Sequence, residues 1–294
     1  NSKRSKTLSY GVLLNHFSNK YESPHIVKNS KNIMHLYGKK ISTSHIFITN
    51  IDYDRRTALY WQESSTTPEE KFFRNRFAFS KFSFSAVSKE VSTDKLKHNT
   101  TFFISDLNER SENQIHLSTD LSKTINGLPF NLEIALNDYL NYNNPETRIT
   151  STSVQSFHFS PSTSITKYGV DFDLGIELHY LSDGTPFEVF PQIKATKELV
   201  KDVLLVYGGL RHSEHRHTFK TLSDENPYIH SFGTNQSILG ENSIQQNLKT
   251  TDTDELYVVI RNLLGYNEIF EGSIAYGTVQ NFAHFVGVTN GIYN

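Results

Sequence analysis

The sequence contains no cysteine, a single tryptophan, and no uninterrupted apolar run of about 18 residues. Without cysteine the chain has no thiol nucleophile, and its absence is compatible with an exported protein, in which unpaired thiols are avoided. Without a long apolar run, a helical membrane span is excluded. The net charge of −2 argues against a protein that binds nucleic acid electrostatically.

What the sequence does contain is a period of two, most clearly in residues 168–180. One face would carry Tyr168, Val170, Phe172, Leu174, Ile176, Leu178 and Tyr180, and the other Gly169, Asp171, Asp173, Gly175, Glu177 and His179. A strand needs about 9–11 residues to cross a bilayer, and this run is longer. We therefore predict a transmembrane strand whose apolar face meets lipid and whose polar face lines a wet interior, with the end tyrosines at the two interfaces.

The same alternation recurs along the chain. Apolar residues share one parity in Phe47–Trp61, Gln114–Leu121 and Phe130–Asn137. Phe77 and Phe79 lie on one parity but Phe82 and Phe84 on the other, which predicts a bulge or a strand boundary near Ser80–Lys81. The 15 Tyr and 21 Phe also favour pleated surfaces.

These patterns predict an all-β fold, an antiparallel transmembrane β-barrel of roughly 12–14 strands, even numbers being usual in bacterial barrels. We expect residues 1–294 to form a single outer-membrane barrel domain, as mature or truncated material that is compatible with a portion of a longer protein. Short turns such as Asn126-Gly127 and Ser182–Thr185 should lie at one rim and long loops at the other. The polar stretch Thr221–Asp254 should be extracellular and contact a partner or substrate.

Several segments resemble a known family. They are Leu36–Lys40, Ile51–Arg56 with Tyr60-Trp61, Leu205–Arg211 and Phe219–Ile229. They look like barrel strands of TonB-dependent-receptor-like outer-membrane proteins of Bacteroidota. The resemblance implies a fold and an outer-membrane location rather than a substrate. It covers the barrel alone, because no plug signature and no TonB box are recognisable.

Charged residues on the predicted inner parity are the candidate site. Asp171, Asp173, Glu177, Arg56 and Arg211 would face the lumen. Carboxylates there could form a ring that attracts cations. The alternative, which we favour, is that charges of both signs pair and fill the interior.

Evidence for other chemistry is thin. In Arg211–His217, His215 and His217 share one strand face, opposite His212 and Glu214, and two such histidines could hold a divalent metal. A polar strand end at the rim is the interpretation we favour, so no metal or other cofactor is predicted. No Gly-x-Ser-x-Gly elbow occurs, which predicts that the protein is not an enzyme, although a Ser–His pair built across strands remains an alternative.

The predicted function is therefore transport, or service as the barrel part of a receptor, in the outer membrane. A structural barrel subunit of a larger envelope assembly is a second interpretation. A soluble extracellular all-β binding protein is a third, weakened by the long strands and by the single Trp61. Outer-membrane lipid and other envelope proteins are the expected partners, and nucleic acid is not.

Overall fold

The chain was analysed as a computed structural model that describes residues 5–21, 26–61, 74–89, 95–108, 112–141, 153–183, 187–227, 249–264 and 268–283. Thirteen strands and one short helix account for most of these residues. The strands are β1 (Leu8–Tyr21), β2 (Ile26–Ile41), β3 (His45–Trp61), β4 (Arg74–Ser88), β5 (Lys97–Leu107), β6 (Glu112–Ile125), β7 (Leu128–Asn141), β8 (Ser153–Lys167), β9 (Val170–Leu181), β10 (Glu188–Val200), β11 (Leu204–Arg216), β12 (Thr250–Leu263) and β13 (Ile269–Gln280). The helix α1 is Phe219–Glu225.

All 13 strands belong to one sheet, in which each strand pairs antiparallel with the next along the chain. The strands run from 11 residues in β5 to 17 in β3, long enough to cross a bilayer. The predicted fold class, an all-β antiparallel barrel of the outer-membrane type, is confirmed. Within the described residues, no ladder joins β1 to β13, so these two strands form the edges of the sheet.

The two faces of the sheet differ in character, as the alternation predicts. On β9, Ile176 and Leu178 are 51% and 37% exposed, whereas Glu177 and His179 between and beside them are only 7% exposed. The outward apolar parity of this strand is therefore confirmed for these residues. We call the face that carries Glu177 and His179, together with the residues that contact α1, the inner face.

Strand β4 contradicts one prediction. It runs from Arg74 to Ser88 with an unbroken register against β3, so no bulge or boundary interrupts it near Ser80–Lys81. Phe82 and Phe84 lie on the outer face and are 39% exposed. Phe77 lies on the inner face, where it packs in a buried cluster with Phe79 against it. The parity changes because Phe77 and Phe79 pack in an apolar cluster on the inner face, whereas Phe82 and Phe84 lie on the outer face. The strand itself is regular.

Two hairpins turn on residues with positive φ. Asn126 and Gly127 have φ of 51° and 83°, and Tyr168 and Gly169 have 55° and 67°. Two-residue turns with both central residues in this region match the twist of the flanking strands. Tyr168 therefore lies in the turn, 88% exposed, and the strand predicted to start there begins at Val170.

The distribution of turns between the rims is partly as predicted. The connections after β6 and β8 have two residues each and lie at one rim. Since β9 and β11 run in the same direction, Ser182 lies at the opposite rim, with α1. The prediction that Ser182–Thr185 shares a rim with Asn126-Gly127 is wrong, because loop length alone does not identify the rim.

The helix α1 folds back onto the inner face. Its N-terminus is capped by Thr218, and the backbone N–H groups of Phe219 and Lys220 donate to the carboxylate of Glu112 at 2.6 and 3.2 Å. Phe219 and Leu222 pack against Phe77 and Leu107 as a buried cluster. The polar loop predicted to begin at Thr221 therefore overlaps this helix, which extends to Glu225.

Residues 228–248 of the predicted loop Thr221–Asp254 lie outside the described residues. Among the residues that the structure describes, no helix is long and apolar enough to span a membrane.

Candidate functional site

Four side chains from three strands meet on the inner face near the long-loop rim. His158 of β8 is the register partner of His179 of β9. Across β10, strand β11 contributes His212 and Glu214, which alternate along the strand and so project to the same side. The topology thus brings together residues that are far apart in the sequence.

The contacts within this group are short. Nδ1 of His179 lies 2.8 Å from Oε1 of Glu214, and Nε2 of His212 lies 3.9 Å from the same oxygen. Nδ1 of His158 lies 3.1 Å from Nε2 of His179. One ligand atom each from His179, His212 and Glu214 can be chosen so that all lie within 4.8 Å of one another. We call these three residues the histidine–glutamate cluster.

Two further carboxylates orient the imidazoles. Oδ1 of Asp254 on β12 lies 2.8 Å from Nδ1 of His212. Oε2 of Glu177 lies 3.3 Å from Nε2 of His179, and its other oxygen accepts from Nε2 of Gln192 at 2.9 Å. Each imidazole therefore has one nitrogen beside an outer carboxylate and the other beside Glu214.

Phe190 of β10 closes one side of the cluster. Its ring stacks on that of His212 with centroids 3.6 Å apart and an angle of 6° between the planes. The side chain of His212 is 1% exposed, that of His179 is 7% exposed, and that of Glu214 is 20% exposed. Glu214 therefore offers the more open side of the cluster.

Of the five charged residues predicted to line a lumen, Glu177 contacts this cluster, through His179. Asp171 accepts from Thr166 Oγ1 and Asp173 accepts from Ser164 Oγ, both at 2.6 Å, towards the other rim. A cation-attracting ring that includes Asp171, Asp173 and Glu177 stays a prediction.

The two arginines of that set are paired elsewhere. Nη2 of Arg56 lies 2.7 Å from Oδ2 of Asp54 on the same strand, and Nη1 lies 2.7 Å from Asp224 of α1. Arg211 is 55% exposed, lies over the ring of Tyr257 at 4.7 Å, and contacts Glu255. The pairing of Arg56 is what the filled-interior alternative expects. Arg211 alternates with His212 and Glu214 along β11, so it projects to the opposite side of the sheet from these residues and does not share their inner face.

The weaker metal candidates His215 and His217 have ring centroids 4.8 Å apart. Nε2 of His217 lies 2.7 Å from Oγ1 of Thr251, which itself donates to the carbonyl of Asn281. Since Thr251 must accept, His217 carries its proton on Nε2. Burial, and then the proximity of His215, lowers the pKa of His217 below its ordinary value. The interpretation of this pair as a polar strand end at the rim, without a metal, stays a prediction.

Sequence reasoning noticed His212 and Glu214 only as the opposite face from His215 and His217. It did not connect them with His179, because a strand lies between β9 and β11 and the register across β10 is not written in the sequence. Alternation did place His179 and Glu177 on the same polar face, which was the available signal.

Neither a family model nor a curated protein matches the chain. Solved structures do. The siderophore receptor PirA from Pseudomonas aeruginosa aligns with a TM-score of 0.58 and 13% identity over 89% of this chain and 47% of PirA. A mutant of the ferric enterobactin receptor PfeA, also from Pseudomonas aeruginosa, aligns with a TM-score of 0.61 and 10% identity over 94% of this chain and 49% of PfeA.

The outer membrane transporter YddB from Escherichia coli gives a weaker likeness, with a TM-score of 0.49 and 9% identity over 92% of this chain and 46% of YddB. The chain therefore spans about half the length of the proteins it resembles. At these identities the likeness to PirA and PfeA establishes the fold.

Proposed function

We propose that this chain forms wall strands of an outer-membrane β-barrel that acts in transport or as the barrel part of a receptor, without catalysis. The observation that carries the proposal is the division of the sheet into an exposed apolar face and a polar inner face, on long strands. Ile176 and Leu178 represent the first face, and Glu177 and His179 the second. A lipid-facing surface and a wet interior require this division.

The inner face supports passage or docking rather than a sealed hydrophobic core. Inner residues of neighbouring strands are joined by polar contacts, such as His116 Nδ1 to Asn137 Oδ1 at 2.6 Å and Asn137 Nδ2 to Ser156 Oγ at 3.1 Å. Such side chains tolerate water and solutes. The helix α1 covers part of this face, so it would restrict or contact whatever passes.

Similarity to PirA and PfeA supports a receptor or transporter role and an outer-membrane location. A soluble all-β protein is disfavoured because its outer face would expose many large apolar side chains. These include Phe82, Phe84, Ile104, Ile115, Leu117, Leu136 and Ile176, all more than a third exposed.

A barrel in a membrane also requires partners for the backbone groups along the two edge strands, β1 and β13. In lipid, backbone N–H and C=O groups must be satisfied within the protein. Strand β1 is exposed along its whole length and β13 along nearly all of it. We propose that both edges are paired in the membrane-embedded protein.

Three finer points remain proposals. One is the assignment to Bacteroidota, on which likeness to receptors from Pseudomonas aeruginosa does not bear. The others are that residues 1–294 act as one barrel domain, and that lipid and other envelope proteins, but not nucleic acid, are partners.

Fractionation followed by single-channel recording tests the function. We expect the protein to stay in the membrane fraction after a carbonate wash and to resist heat-induced unfolding in detergent. In planar bilayers, steady ion-selective conductance would support passage. A silent barrel that co-purifies with envelope proteins would favour the structural-subunit alternative. Release by carbonate would contradict a membrane location, and hydrolysis of an ester or peptide abolished by one Ser or His substitution would contradict the absence of catalysis.

A further inference from the structure

We propose that the histidine–glutamate cluster binds a divalent transition metal on the inner face, with Nδ1 of His179, Nε2 of His212 and the carboxylate of Glu214 as ligands. The proposal rests on the local geometry of strands β9 and β11. It does not depend on what the barrel transports.

The spacing of the three ligand atoms fits a metal with a small adjustment. Bonds of about 2.0–2.2 Å at tetrahedral angles place ligand atoms about 3.4 Å apart. Glu214 Oε1 lies 2.8 Å from His179 Nδ1 and 3.9 Å from His212 Nε2, values that bracket this spacing. One ligand atom from each of the three residues can be chosen so that all lie within 4.8 Å of one another.

The outer carboxylates hold both imidazoles in the tautomers that a metal needs. Asp254 beside Nδ1 of His212 favours the proton on that nitrogen, which leaves the lone pair of Nε2 facing Glu214. Glu177 beside Nε2 of His179 favours the proton on that nitrogen, which leaves the lone pair of Nδ1 facing Glu214. A carboxylate that accepts from the remote nitrogen of a ligand histidine is the usual outer support of a metal site.

The two inward nitrogens also share a carboxylate neighbour. Nδ1 of His179 and Nε2 of His212 are buried and face the carboxylate of Glu214, at 2.8 and 3.9 Å. A cation placed between these two nitrogens and the carboxylate would be bound by all three.

The donor set indicates the class of metal. Two imidazoles and one carboxylate, without thiolate, suit Zn²⁺, Co²⁺, Ni²⁺ or Cu²⁺ better than Ca²⁺ or Mg²⁺, which prefer oxygen ligands. With three protein ligands a tetrahedral ion keeps one position for water or for a donor atom of a solute. The more open side at Glu214 gives that position access to the interior.

Metal titration of the intact protein in detergent tests the proposal. Co²⁺ should give the intense visible absorption of a four-coordinate ion, and Zn²⁺ should displace it at one equivalent. His179→Gln, His212→Gln and Glu214→Gln should each weaken Zn²⁺ binding by about tenfold or more. His116→Gln, at another inner-face histidine, is the matched control and should change nothing. Mg²⁺ should not compete.

Three results would overturn the assignment. One is a folded wild-type protein that binds no Co²⁺ or Zn²⁺. Another is unchanged binding in all three ligand variants. The third is binding that is lost only on His215→Gln or His217→Gln, which would move the site to that pair.

A second measurement needs no variant and so does not depend on folding of the mutants. X-ray absorption at the zinc edge of the Zn²⁺-loaded wild-type protein should show two imidazole nitrogens together with carboxylate or water oxygen at about 2.0–2.2 Å. A coordination shell made of oxygen alone would contradict the proposal.

Discussion

Arg56 and Asp224 connect the sheet to the helix. Nη1 of Arg56 on β3 lies 2.7 Å from Oδ1 of Asp224 in α1. Close by, Phe219 and Leu222 of the helix are buried against the inner face. The side chain of Asp224 is 40% exposed, so solvent weakens the ion pair to about 0–1 kcal/mol, whereas burying Phe219 contributes about 1.5–3 kcal/mol. Apolar burial should therefore dominate the docking of α1.

Phe219→Ala should release α1 from the sheet. Truncating a buried phenylalanine costs about 3–5 kcal/mol where it must stay in place, and detachment of the helix limits that cost. The chain has no cysteine, so Ser223→Cys introduces a unique thiol at a side chain that is 1% exposed. We expect slow labelling of this thiol, accelerated at least about tenfold by Phe219→Ala. Phe82→Ala on the outer face is the control, and equal acceleration by both would contradict the docking.

Arg56→Gln should have a smaller effect on the same measurement. Because it removes a partly exposed ion pair worth at most about 1 kcal/mol, labelling of Ser223→Cys should rise no more than about fivefold. Raising the salt concentration should reduce the difference between Arg56→Gln and the parent. An effect of Arg56→Gln larger than that of Phe219→Ala would show that charge, not burial, holds the helix.

Leu174→Arg tests the lipid-facing parity of β9. An arginine near the middle of the bilayer should lower the free energy of unfolding by about 2–4 kcal/mol in lipid vesicles. Ser164→Arg is the matched control, because Ser164 lies on the inner face beside Asp173. Gly175 is a poor control, since an added Cβ would lie 2.9 Å from the carbonyl oxygen of Pro161. Equal losses for Leu174→Arg and Ser164→Arg would favour a sheet buried on both sides.

Amide hydrogen exchange in nanodiscs tests the pairing of the edge strands. If β1 is paired on both sides in the membrane, its amides should be protected to the same degree as those of the interior strand β6. The physical reason is that unpaired backbone groups are not tolerated in hydrocarbon. Fast exchange of alternate β1 amides together with a protected β6 would show that the edge faces water.

His217 should make the protein less stable in acid. Its folded-state pKa is lowered by burial, whereas the unfolded chain has the ordinary value of about 6.5. The unfolded state therefore takes up the proton first, so the contribution is complete above about pH 6.5 and is lost as the pH falls from that value through the lower folded-state pKa. His217→Gln should remove this part of the pH dependence of unfolding. An NMR titration that places the pKa of His217 above the ordinary value would contradict the sign.

Strand periodicity predicted more of the fold than of the site. The alternation around Ile176 and Glu177 identified both the strand and its faces, because the constraint of lipid on one side and water on the other is local to each residue. The same logic failed at β4, where Phe77 and Phe79 are apolar on the inner face because α1 packs there. In the sequence of β4, this contact with a distant segment is visible only as a change in the parity of the apolar residues. A β-bulge would produce the same change in the sequence.

The sequence by itself determined that this chain is a long-stranded antiparallel sheet with one apolar and one polar face, since a period of two fixes the side to which each residue projects. Only the tertiary structure decided that His179, His212 and Glu214 meet, that Arg56 reaches Asp224, and that Ser182 lies at the rim of α1. These relationships depend on strand order, register and the return of a helix onto the sheet. Such properties arise from pairing between distant segments, which no local pattern specifies.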